Sequence, residues 1–585
     1  MLAQLAMCFL VSALGQAPAE ASAAWLKAVP GDVDLVIRGR GVEPISRELV
    51  DMIKAMSPRA AQAAAPAISQ SLDRFRKLGG GVIGDVSWVG LSRLVPAVGP
   101  SGPPFAALVL NDDYDGVVKA TNNGAAPTLR PQEGGFDEFD SPQGRGPWYA
   151  FKGAGFVAIG QDKELIAAIA RPKGKAFDAV LTPALAKPFF AGDVGVFVNA
   201  SQLSTRYADR IAQGRQAFMA ALDQAGQKSP NGPSMDAIKD LYGGLFDAIK
   251  DADALTLSLD FAPAGLQLSG QLELKPGADS AKGIAASQNS SADLGKLAPG
   301  AAFYMYMNMQ ASTVEKLQNM SLRMISPGGK FGPEMTRAME QFHALGRIET
   351  LSSVSFEHGM RAFNVINATD PKVYVAATEA MLSAMKNSDS PLNFYKEVKI
   401  ERDAQNYQGV SYTHVVAVFD DEKLAKFGAA GNGGSAASLK AMFGGDSFSY
   451  WIGADGKRVL QVTAPTWDEA KVKIDQFLKA DAPVGALHSF QAVRSALADR
   501  ASFMMILSAQ GFVRMIVAQL AATLNKPELK DLLNLPKEPA FLGFSSTPTA
   551  PSGYEFHFSL PSSVGPVFEN GLMPVFQGMQ GNVKQ

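Results

Sequence analysis

The chain has 585 residues, 47% of them apolar and 19% charged, which is ample material for packed cores and too little charge for a disordered chain. Its 54 Lys and Arg against 56 Asp and Glu leave a net charge of -2, without the positive excess that a phosphate backbone demands, so nucleic acid is not an expected partner. One Cys and five His exclude a disulfide framework and any Cys-based zinc or iron–sulfur site.

Residues 1–23 read as a cleavable secretory signal. An apolar run from Leu2 to Leu14, too short to span a bilayer, is followed by small residues ending in Ala21-Ser22-Ala23. No Lys or Arg precedes the run, which implies a start codon further upstream; an in-frame stop directly before Met1 in the genomic DNA would refute this. Cys8 is not expected to carry lipid, because Met7 stands where a lipoprotein signal needs a small residue. Cleavage after Ala23 removes Cys8 and Glu20, leaving 54 positive against 55 negative residues, a net charge of -1 and no thiol. Such a chain suits an oxidising compartment. No later stretch has the ~18 consecutive apolar residues of a membrane helix. The nearest approach, Phe512 to Leu524, is interrupted by Arg514 and Gln519 and reads as a buried helix.

Along the mature chain one phrase recurs four times: a small or acidic pair, a short apolar strand, then a polar residue opening a helix. The copies are GDVDLVIRGRG from Gly31, GDVGVFVNASQL from Gly192, GAAFYMYMNMQAS from Gly300 and RASFMMILSAQG from Arg500. Each leads through helical sequence to a strand pair, and Leu255-Leu257-Leu259 with Leu266-Leu268 shows the period-2 alternation of half-buried antiparallel strands. The first and third units carry an extra hairpin and helix, at Trp148 to Ala170 and Phe448 to Leu478. The order long, short, long, short predicts two duplicated halves, residues 24–296 and 297–585. The fold class expected is α+β: antiparallel sheets with helices packed mainly on one face, in ferredoxin-like strand-helix-hairpin-helix units. Breaks are expected at Thr121 to Gly135, Gln227 to Pro233 and Gly428 to Ser438.

The phrases DVGVFVNASQL and GFVAIGQDKELIAAI, together with a strand ending in Asn111-Asp112-Asp113 before a helix, resemble a family of exported bacterial proteins known only as a domain of unknown function. The resemblance covers most of the mature chain. It implies an exported bacterial protein and brings no catalytic residues with it.

The motifs that could carry chemistry have structural readings beside them. Gly79 to Gly84 satisfies G-x-G-x-x-G, but it follows a helix and leads into a strand, the reverse of a dinucleotide loop. Gly39-Arg40-Gly41 follows a strand, yet Pro44 replaces the third glycine. Asn111 to Gly116 resembles the front of a calcium loop, but its twelfth position is Asn122 rather than a bidentate Glu; helix capping is the expected role, as for Asp162, Asp370 and Asp420. The acidic stretch Asp137-Glu138-Phe139-Asp140 reads as a solvated loop. Neither Gly90-Leu91-Ser92-Arg93-Leu94 nor Gly99-Pro100-Ser101-Gly102-Pro103 completes G-x-S-x-G. His557 and Glu555 share a strand face about 7 Å apart, as a surface pair.

Methionine is distributed unevenly: 6 of the 22 precede residue 297 and 16 follow it. Met is over-used on adaptable binding surfaces. Tyr304, Met305, Tyr306 and Met307, with Met504, Met505 and Met515, are therefore the candidate apolar ligand or partner surface, against core filling as the plain alternative. No cofactor, no metal site and no enzyme activity is expected. The leading expectation is a non-catalytic exported envelope protein that binds a protein or serves as a scaffold; the second is a carrier of an apolar small molecule or lipid. The mass of protein purified from its native envelope should begin at Ala24, and a chain retaining Leu2 to Leu14 would refute the signal assignment.

Overall fold

The structure, a computed structural model, describes residues 22–78, 86–93, 105–140, 146–228, 239, 242–243, 246–247, 249–278, 291–310, 333–357, 359–386, 395–429, 440–441, 443–480, 482–524, 526–549 and 552–581. Residues 1–21 of the expected signal and the Gly79 to Gly84 motif lie outside these residues, as do most of the expected breaks after Gln227 and Gly428, whereas Ser22 and Ala23 belong to the first helix.

Two compact units divide the chain. One comprises Met1–Ala208, Ile249–Ile284 and Thr549–His557; the other comprises Asp209–Ala248, Ala285–Pro548 and Phe558–Gln585. Relative to the halves expected at 24–296 and 297–585, Asp209–Ala248, Ala285–Lys296 and Thr549–His557 change sides.

The chain begins with α1 (Ser22–Ala28), β1 (Leu35–Gly39), α2 (Val42–Met56), α3 (Pro58–Leu78), β2 (Trp88–Ser92), β3 (Phe105–Val109) and α4 (Tyr114–Thr121). It continues through β4 (Arg130–Pro131), β5 (Asp137–Asp140), β6 (Pro147–Gly153), β7 (Phe156–Gly160), α5 (Lys163–Ala170), α6 (Pro183–Ala191), β8 (Val194–Val198), α7 (Ala200–Arg206), α8 (Ala208–Lys228), β9 (Ala252–Ala262) and β10 (Gly265–Leu274). Then come β11 (Phe303–Gln310), α9 (Pro333–Ala344), β12 (Arg347–Ser355), β13 (Arg361–Ala368), α10 (Pro371–Lys386), β14 (Tyr395–Tyr407), β15 (Val410–Phe419) and α11 (Asp421–Ala429). The last elements are β16 (Ser447–Ala454), β17 (Val459–Thr463), α12 (Trp467–Lys479), α13 (His488–Ser495), β18 (Phe503–Ser508), α14 (Ala509–Thr523), β19 (Phe541–Thr549), β20 (Gly553–Pro561) and α15 (Val564–Gly581).

In the first unit the strands run side by side as β10-β9-β8-β1-β2-β3-β7-β6-β5-β4, each pair antiparallel. In the second they run as β19-β18-β11-β12-β13-β17-β16-β15-β14, again antiparallel throughout. The registers also agree. Leu35 faces Val198 on β8 and Ser92 on β2, and Phe303 faces Leu507 on β18 and Val354 on β12. Beyond those pairs the Asn199 N–H donates to the Asp34 carbonyl at 2.9 Å, and the Ser508 N–H donates to the Ala302 carbonyl at 2.9 Å. Phe177 and Val484 each open a 3-10 turn and donate backwards at 2.8 Å, to Val29 and Leu297 respectively.

The mixed α+β class agrees with the sequence, but two finer expectations need correction. β1 and β2, joined through α2 and α3, pair directly and antiparallel, as do β11 and β12, whereas the helix-joined strands of a ferredoxin-like split βαβ unit run parallel with another strand between them. Helices also cover both faces of each sheet. In the first unit Val36, Leu91, Leu108 and Phe197 pack with Trp25, Leu165, Ile169, Phe177 and Phe189. From the opposite face Leu35, Ile37, Val194 and Val196 meet Ile45 and Leu49 of α2, while Val109, Val157 and Ile159 meet Val117 and Val118 of α4. This accounts for β7, Phe156-Val157-Ala158-Ile159-Gly160, in which every residue is buried: a strand covered on both sides loses its polar alternation. The second unit repeats the arrangement. Tyr304, Tyr306, Phe363 and Val462 pack with Ile474, Phe477, Phe490 and Val493, and Ile348, Ile366, Val415 and Ile452 pack with Phe342 and Ala377 on the other side.

The acidic stretch Asp137–Asp140 is not a loop but strand β5, with Phe139 fully buried. β14, absent from the sequence expectation, forms a long hairpin with β15 and carries Lys396, Glu397, Lys399, Glu401, Arg402 and Asp403. Charges on an outer strand discourage edge-to-edge pairing with other chains and hide the strand from a search for apolar runs.

Trp25 is 1% exposed and stacks on Phe177 with ring centroids 6.1 Å apart, although it stands two residues after the expected cleavage point. Trp25→Ala should lower the unfolding free energy by about 3–5 kcal/mol in urea titration; a loss below about 1 kcal/mol would show that the segment is not part of the core.

Candidate functional site

The seven candidate surface residues do not share one surface. Alternation along β11 and β18 sends Tyr304, Tyr306 and Met504 to the inner face, where each is 0% exposed within the core that holds Phe363 and Phe490. The Tyr304 hydroxyl donates to the Ala298 carbonyl at 3.2 Å and accepts from the Ala301 N–H at 3.1 Å; burial pushes its pKa up to about 12. The Tyr306 hydroxyl donates to Glu349 at 2.8 Å. These three are core residues, and the plain reading of a Met-rich strand covered on both faces holds for them.

Met305 and Met307 occupy the opposite face and are half-buried. Met305 lies across from Met505 on β18, and Met307 across from Phe503. Met505 is in turn opposite Phe544 on β19, and Phe503 and Phe544 are in ring contact at 6.1 Å. Met515 is half-buried on α14. In the first unit the positions of equal register are Ile37 and Val196, which α2 covers through Ile45 and Leu49. In the second unit the segment that follows β11 lies outside the described residues.

The other motifs resolve into structural roles. The Asp113 carboxylate accepts from the Gly116 N–H at 2.9 Å and caps α4. Asp112 accepts from the Gly155 N–H at 3.0 Å, and Asn111 accepts from the Asp113 N–H at 3.2 Å, so Asn111 and Asp113, the first and third positions of the calcium-like sequence, are turned to backbone amides. Asp162, Asp370 and Asp420 likewise accept from helix amides. Arg130, on the neighbouring strand, clamps Glu138 at 2.9 Å and Asp140 at 2.8 Å and holds the Asp140 carboxyl below its usual pKa. Arg40, between the two glycines after β1, pairs with Glu48 at 2.8 Å and with the fully buried Asp193. Asp193 also accepts from the Phe261 N–H at 2.8 Å. His557 and Glu555 do share a face, 3.2 Å apart, with Lys187 3.7 Å from the same carboxylate. That contact, His557 first, holds the Glu555 pKa down.

The sequence reasoning overlooked a shallow open notch in the second unit, lined by Ser353, Ser355, Arg361, Phe363 and Lys473 beside the Ala298–Pro299 turn. Three stretches far apart in the chain supply these residues, so no local spacing could announce them. His414 lies flat on Trp451, with centroids 4.4 Å apart and planes 5° from parallel, and its Nε2 is 2.9 Å from the Ser449 hydroxyl. Among the described residues no group of acidic, His or Cys side chains is arranged to hold a metal, and no helix is long and apolar enough to cross a membrane. No family model, curated protein or solved structure matches the chain.

Two outcomes follow. Under limiting peroxide, Met305, Met307 and Met505 should convert to sulfoxide ahead of Met504, read by peptide mass spectrometry; equal rates would contradict the division of faces. Burial, partly opposed by Glu401, lowers the pKa of His414 from its ordinary 6.5. The unfolded chain therefore takes up its proton first as pH falls, and stability drops on acidification through 6.5. In chemical unfolding at about pH 7 and about pH 5.5, His414→Gln should reduce that acid sensitivity; an unchanged difference would exclude His414 as a source.

Proposed function

We propose that this is a non-catalytic exported protein of a bacterial envelope, whose two units arose by duplication and act as a scaffold that binds another protein. One observation carries the reading: the polar side chains of the motifs singled out in the sequence are engaged in holding strands and helix ends. Asn111 and the acids at 112, 113, 162, 370 and 420 cap turns and helices, those at 138 and 140 are clamped by Arg130, and His557 is committed to Glu555. A catalytic group instead sits with a free acceptor or donor aimed into a cleft. Duplication is supported by the shared strand order and by the matched registers around Leu35 and Phe303. Export rests on the sequence of residues 1–23 and on the family resemblance.

A second reading, a carrier of an apolar molecule, draws on the half-buried row of Met305, Met307, Phe503, Met505 and Phe544. Flexible thioethers beside aromatic rings suit an apolar guest. Replacing Met305, Met307 and Met505 together by Gln separates the two. In a scaffold, partner cross-linking should fall only as far as thermal stability falls; loss of a bound apolar molecule at unchanged stability would establish the carrier. Purified mature protein should show no turnover in a broad hydrolase screen, and turnover that survives repurification would overturn the non-catalytic reading.

A further inference from the structure

The notch in the second unit is built from residues that its place in the sheet does not call for. Ser353 stands opposite Tyr304 as Leu91 stands opposite Val36 in the first unit. Leu91 is 1% exposed within an apolar core, whereas Ser353, at 9%, presents a hydroxyl. Lys473 is the seventh residue after the α12 cap Thr466, and Ile169 is the seventh after the α5 cap Asp162; Ile169 is core, at 1%. Apolar side chains therefore suffice at these positions for the fold, and placing a hydroxyl and an amine there costs stability unless something compensates.

What they face is consistent. Arg361 opens β13 opposite Ser355 and lines the same notch as Ser353, Ser355 and Lys473. Its Nε donates to Glu469 at 3.0 Å and one terminal nitrogen reaches the Met360 carbonyl at 3.5 Å, leaving its other N–H groups for a further acceptor. Lys473 makes no hydrogen bond or ion pair with any described residue. Burial, ahead of the opposing influence of Glu469, lowers its pKa, as expected for a cation held out of water without a close counter-ion. Two cations against one carboxylate leave the notch one positive charge in excess, with two hydroxyls to donate alongside.

We propose that the notch formed by Ser353, Ser355, Arg361 and Lys473 is a binding site for a small oxyanion of the phosphate class. Arg361 and Lys473 supply charge-assisted donors and the serine hydroxyls fix orientation. The site is separate from the Met–Phe face and does not depend on the scaffold reading.

The test is acylation of lysines by a limiting amine reagent on the full mature chain, with inorganic phosphate as the probe and each site read by peptide mass spectrometry. A dissociation constant on the order of 1 mM predicts about a tenfold slowing at Lys473 in ~10 mM phosphate, with exposed Lys471 unaffected. Ser353→Leu, which installs the residue of equal register from the first unit, should abolish the slowing. Lys473→Met, followed by phosphorus NMR line width, checks the same loss without relying on acylation. Equal rates at Lys473 with and without phosphate would overturn the proposal. Undiminished slowing in a folded Ser353→Leu chain, or undiminished phosphate broadening in a folded Lys473→Met chain, would also overturn it.

Discussion

Each unit depends on one strand pairing. β1 lies between β8 and β2, and β11 lies between β18 and β12, so the first strand of each half is central and both of its neighbours come from later in the chain. Its backbone groups have no water to turn to and must be satisfied by those neighbours. This requirement explains why the apolar phrase appears twice per half, since the first copy needs the second beside it. It also explains the N–H groups of Asn199 and Ser508, each of which extends its ladder by one bond before its side chain caps the next helix.

A central strand covered on both faces has no side to give to water, and this limits what a sequence can disclose. Alternation was readable at Leu255-Leu257-Leu259, and the hairpin β9–β10 follows from it. It was unreadable at β7, where continuous burial erases the period, and the helices on the second face went unforeseen for the same reason. The opposite failure concealed β14 and β5. Outer strands carry charge on positions that reach solvent, so Asp137-Glu138-Phe139-Asp140 has the composition of a loop although Phe139 is fully buried.

The candidate site was legible to a similar degree. Capping acids announce themselves through their place between strand and helix, and Asp113, Asp162, Asp370 and Asp420 all bind the amides that this placement implies. The Met-rich phrase was visible, but period 2 divides it, and a composition count cannot tell Met504 in the core from Met505 on the other face. Lys473 was invisible because its meaning comes from Ser353 and Arg361, more than a hundred residues earlier. Only the comparison with Ile169 and Leu91 at the same positions in the first unit shows that these residues exceed what the fold requires.

The central claim is that the protein works by holding a protein partner on a fold whose motif acids and His557 are spent on structure. Native mass spectrometry of the mature chain taken from its own envelope, before and after organic extraction, tests this most directly. The account predicts a complex larger by the mass of another protein, and a bare chain beginning at Ala24 once that complex is dissociated. A stoichiometric small apolar adduct, removed by the solvent and with no protein companion, would contradict it.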